Sequence, residues 1–161
     1  MLDRTQASDL DKLLALPFSP LIERMIDNHG WSEQDALQGF EDLMRYFFLC
    51  AAHKWSEPFA PPPKIDEIWH AFILFTKEYR QFCFTFFGRF IEHRPRRRSD
   101  PPNLLKPISY TQQAALELYG RLSDMWINKP YTPKEKPQEA KPHFPGRECS
   151  TECSYGNGDC A

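Results

Sequence analysis

Apolar residues recur along this chain at intervals of three and four, the period of an amphipathic helix, and no convincing pair of strand-like runs interrupts them. Residues 9–16 read DLDKLLAL, with Leu10, Leu13 and Leu14 at helical spacing. Pro17 ends that short helix, because proline disfavours helical backbone at the residue before it. A second helix is expected from Ser19 to His29, with Ser19 as cap, Pro20 in the first turn and Gly30 as the stop. Ser32 with Asp35 then resembles a capping box. The stripe Ala36, Leu37, Phe40, Leu43, Met44, Phe47, Phe48 and Ala51 follows as a strong helix ending near His53. The run Pro58–Pro63 is a stiff, extended connector. A central helix starts near Ile65 and carries Ile68/Trp69, Phe72, Phe75, Tyr79, Phe82/Cys83 and Phe86 to a stop near Gly88. Its aromatic stripe predicts the most buried element of a bundle. After a basic loop, Arg94–Asp100, a last helix is expected from Thr111 to Ile127. The pattern predicts a single all-α bundle of about five helices over residues 1–128. From residue 129 to 161 no apolar period survives, and a proline-rich, disordered or extended tail bearing Cys149, Cys153 and Cys160 is expected.

Composition narrows the functional classes. The chain has 161 residues, of which 41% are hydrophobic and 14% aromatic, enough for one domain with a real core. A formal charge of −2 gives no general attraction to nucleic acid or anionic membranes. No apolar run approaches the roughly 18 residues that span a bilayer. The start, MLDRTQASDL, lacks a secretory signal pattern, so a cytoplasmic location is expected. Five cysteines at irregular spacing do not make a secreted disulfide framework. Phosphate loops, dinucleotide fingerprints, HExxH and nucleophile elbows are absent.

The candidate chemistry centres on Asp66 and His70, which share a helix face because they stand four residues apart. Such a pair is either a surface hydrogen bond or half of a metal site. His53 closes the preceding helix, and in an antiparallel pair the proline connector returns the chain beside it. His53, Asp66 and His70 could then converge, with an open position suited to zinc or iron. His93 and Cys83 are further possible ligands. An unbroken helix separates Cys83 from His70 by about 20 Å, so Cys83 reads as a core thiol unless the helix breaks near Thr76. The tail cysteines lack zinc-ribbon spacing. They either hold a soft metal with His143, form one disulfide, or have no defined partner. The arginines at 94, 96, 97 and 98 could meet phosphate, but no aromatic interleaving accompanies them.

The residues Ile65–Asp66, Trp69–His70, Ile73–Leu74, Thr76, Tyr79, Phe82–Cys83, Phe87–Gly88 and His93 together resemble the glycine-rich domain-containing-protein-like family. Many members of that family carry a second histidine two residues after the Trp-His, where this chain has Phe72, and another before the last histidine, where it has Glu92. The resemblance implies an α-helical domain and no particular activity.

Three functions are compatible with these observations. The first is a metal- or small-ligand-binding protein centred on Asp66 and His70, with His53 or His93 assisting. The second is a helical interaction module whose cysteine-bearing tail is bound or modified by a protein partner, its Trp-His then being structural. The third is a hydrolase or oxygenase that uses the same His/Asp site.

Overall fold

One serine cap and three glycine stops set several of the helix ends. A computed structural model describes residues 4–15, 18–94 and 97–132, and six α-helices run through them. They are α1 (Arg4–Leu14), α2 (Ser19–His29), α3 (Glu33–Ala52), α4 (Pro63–Ile73), α5 (Thr76–Phe87) and α6 (Ile108–Tyr119), followed by a 3-10 turn at Asp124–Trp126. The described residues contain no strand, so the all-α expectation holds. Ser32 caps α3 as its sequence suggests: its Oγ accepts the Asp35 backbone N–H at 3.1 Å and donates to the Asp35 carboxylate at 2.7 Å. At α2 the expected cap, Ser19, is instead the first helical residue, and Phe18 occupies the cap position. None of the described helices is long and apolar enough to cross a membrane.

The central helix is not continuous. Ile73 ends α4, and Phe75 takes a non-helical backbone (φ −83°, ψ 63°) before α5 begins at Thr76. Leaving the helix lets the Phe75 ring pack edge-on against Phe18 at 5.1 Å. The break also folds α5 back. A straight helix would hold Trp69 and Phe87 about 27 Å apart, yet both rings touch Phe47, at 5.1 and 6.2 Å. Gly88 then stops α5 in a left-handed conformation (φ 64°) that a side chain would strain. The chain leaves it heading back toward α4.

The middle of the bundle is α3, not the segment from Ile65 to Phe87. It packs against α1, α2, α4, α6 and the 3-10 turn. Eleven of its residues are buried, from Ala36 to Cys50. The broken central segment buries Ile65, Ile68, Trp69, Ala71 and Phe72 on α4, and Tyr79, Phe82 and Cys83 on α5, while Phe84 and Phe86 stay exposed. Gly39 is a point of close approach on α3: a Cβ there would lie 2.6 Å from the Trp31 ring.

The last helix is shorter than its sequence pattern suggests, because Gly120 ends α6 in a left-handed conformation. Met125 and Trp126 still reach the core through the 3-10 turn. Beyond it, Tyr131 stacks on Trp31 with centroids 4.4 Å apart. Its hydroxyl accepts the Ser32 N–H and donates to Asp35, both at 3.2 Å. The expected tail from residue 133 on, with Cys149, Cys153 and Cys160, lies outside the described residues.

Candidate metal centre

Pro62 and Pro63 open α4 and place Asp66 in its first turn, where a carboxylate complements the helix dipole. His70 follows one turn later on the same side, its Nε2 3.9 Å from Asp66 Oδ2. Trp69 points the other way, into the core, against Tyr46 and Phe47. Its indole Nε1–H donates to the Tyr79 hydroxyl at 2.9 Å, and that hydroxyl donates to the Ile91 carbonyl at 2.7 Å. Both bonds are buried. They fix the strand of loop that follows Gly88, two residues short of His93.

His93 consequently lies over the start of α4. Its ring meets Trp69 edge-on at 4.2 Å, and its Nε2 is 2.7 Å from Asp66 Oδ1. A carboxylate only accepts, so in this arrangement Nε2 carries the proton. The His70 and His93 rings are 4.4 Å apart. One ligand atom from each of Asp66, His70 and His93 lies within 4.8 Å of the other two. The three are graded in exposure, from a 10% exposed His93 side chain through Asp66 at 33% to His70 at 54%. The group is therefore anchored on its buried side and open on the other.

All three residues line a cleft of about 650 Å³. Tyr46 and Cys50 from α3 also line it, as does Phe59 from the connector. The Tyr46 hydroxyl donates to the Phe59 carbonyl at 2.9 Å and so holds the connector in place. Burial pushes the Cys50 thiol up to about 12 and raises Tyr46 well above its usual range, with neighbouring Cys50 and Asp66 adding to the second effect. Both stay neutral near physiological pH.

The other sequence candidates are placed elsewhere. His53 does not join the group. Lys54 and Trp55 both adopt left-handed backbone (φ 55° and 56°), which turns the chain out of α3, and the His53 ring rests exposed against the edge of Phe59 at 5.1 Å. Cys83 is fully buried, its thiol raised by desolvation. Arg94 pairs with Asp100, which also accepts the Arg97 N–H at 2.7 Å. The Trp69–Tyr79–Ile91 relay is the feature of the candidate site that sequence reasoning missed. Trp69 and Tyr79 stand out in the motif, but the partner that matters is a backbone carbonyl with no sequence signal.

Residues 12–103 match the UCP032817-like family, more than half of the chain. The chain belongs to that family. The UCP032817-like match runs from within α1 past α5 and takes in Asp66, His70, His93 and the relay that holds them. It overturns the resemblance to the glycine-rich domain-containing-protein-like family, for which nothing else speaks. The residues that carried that resemblance answer to packing in this UCP032817-like fold: Trp69 and Tyr79 bridge α4 to the His93 loop, and Gly88 stops α5. No curated protein and no solved structure matches the chain.

Proposed function

We propose that the protein binds a divalent transition metal, zinc or iron, through Asp66, His70 and His93. The observation that carries this reading is the convergence of three donor atoms within 4.8 Å, drawn from α4 and from a loop tethered to it. Ligand atoms on a tetrahedral zinc ion with bonds of about 2.0–2.1 Å stand roughly 3.3–3.4 Å apart. His93 Nε2 lies 2.7 Å from Asp66 Oδ1 and His70 Nε2 lies 3.9 Å from Oδ2, so after small side-chain shifts an ion would take the place of the His93 Nε2 proton, with the neutral ring protonated at Nδ1 instead. Two imidazoles and one carboxylate leave coordination positions open, the donor set used by zinc hydrolases and non-haem iron oxygenases. The cleft gives a small ligand room beside those positions. A cytoplasmic setting belongs to the same reading; the two described cysteines, Cys50 and Cys83, are free thiols.

Metal analysis of protein purified without a histidine tag tests the reading, together with thermal melts. One equivalent of zinc or iron should be held, and excess metal should raise the melting temperature, since the ion binds the folded state preferentially. A concentration 100-fold above Kd corresponds to about 2.7 kcal/mol of stabilisation. His70→Ala should abolish the shift with helical content nearly unchanged. Leu13→Ala, a buried change on α1, should lower stability with and without metal and leave the shift intact. If wild type takes up no zinc, iron, manganese or copper, the metal reading fails. The interaction-module reading, in which the tail serves a protein partner, then stands in its place.

A further inference from the structure

The cleft beside the three donor atoms has a chemical character of its own. Its walls are apolar faces: Tyr46, Trp55, Phe59, Ile91, Leu104 and Leu105. Leu105 is 40% exposed, a large aliphatic side chain left uncovered at the mouth. A divalent ion held by one carboxylate and two neutral imidazoles keeps a net positive charge, so its open position favours an anionic donor. Elsewhere the lining opposes further negative charge. Glu57 and Glu92 both border the cleft. Arg94, the one arginine or lysine among the described lining residues, is already paired with Asp100. A ligand with one anionic group and an apolar body fits this distribution, in which the Arg89 guanidinium lies over the Trp55 ring at 5.5 Å. At about 650 Å³ the space is that of a site for drug-sized ligands, so a body of one or two fused rings fits within it.

Resting on the metal-binding reading, we propose that the cleft binds an aromatic monocarboxylate, with its carboxylate on the ion and its ring against the Trp55, Phe59 and Leu105 faces. The test uses the full-length protein loaded with cobalt(II), whose visible absorption reports on ligands at the ion. Naphthoate should perturb the cobalt spectrum saturably, and at least about tenfold more tightly than acetate, because burying its rings adds apolar contact that acetate lacks. Leu105→Asn, an uncharged polar change at an exposed position, should weaken naphthoate about fivefold and leave both the cobalt stoichiometry and the acetate response unchanged. Failure to hold cobalt would bring down the metal reading and this one together. Cobalt bound normally, with naphthoate no tighter than acetate or indifferent to Leu105→Asn, would overturn the aromatic-acid assignment alone.

Discussion

Tyr79 serves two buried groups with a single oxygen, accepting from Trp69 and donating to Ile91. Replacing it with phenylalanine keeps the ring and orphans an indole N–H and a carbonyl. Tyr79→Phe should cost about 1–3 kcal/mol in urea melts, the usual penalty for leaving a buried polar group unpaired. It should also weaken metal binding by about 10–100-fold in a competitive titration, as loss of an outer-shell partner does, because the loop bearing His93 loses its tether. A destabilised protein with unchanged metal affinity would show that the relay supports the core and not the donor set. At this scale the sequence was partly legible. The proximity of Asp66 to His70 follows from helix geometry alone. His93 could be singled out, but its approach depends on a bend and on a backbone acceptor. His53 was misplaced because two successive left-handed residues that are neither glycine nor asparagine, Lys54 and Trp55, leave no signature in a periodicity.

Helix propensity and packing pull in opposite directions on α3. Within a helix, alanine is favoured over glycine by about 1 kcal/mol. At Gly39 the added methyl would meet the Trp31 ring at 2.6 Å, and Trp31 is itself clamped by Tyr131 and hydrogen-bonded to Glu67 at 3.4 Å. Gly39→Ala should therefore destabilise the protein by about 1–3 kcal/mol, the cost of overpacking. A denaturant midpoint above wild type would mean that Trp31 yields freely. Boundaries of α2 and α3 were readable from Pro20, Gly30 and Ser32, since capping is local chemistry. The break between α4 and α5 was readable only as an alternative, at Thr76, where α5 does begin. The apolar stripe from Ile65 to Phe86 continues through it in helical register, and the residues beside the break pack on a ring distant in sequence, Phe18, in contact with Phe72 and Phe75. For the same reason the centre of the bundle passed to α3.

Across the whole molecule, the C-terminal segment meets the bundle at Tyr131. Chains ending after Thr132 and after Asn128 should both unfold cooperatively, because the buried cluster is complete by Trp126. The shorter one should be less stable by about 1–2 kcal/mol, having lost an aromatic stack and two hydrogen bonds. Equal melting curves would show the stack to be energetically idle. The fold-back of α5 has a consequence of a different kind. Asp66 and His70 precede that helix and His93 follows it, so an ion shared among them would act as a removable crosslink around α5. Local opening of α5 would then require first releasing the ion or paying out the loop against it, and its excursions would become rarer. Amide exchange in α5 should slow when zinc is added, while α6, outside the closed loop, should show only the smaller change expected from global stabilisation. In this sense the ion would clock the motion of a helix that contributes none of its ligands.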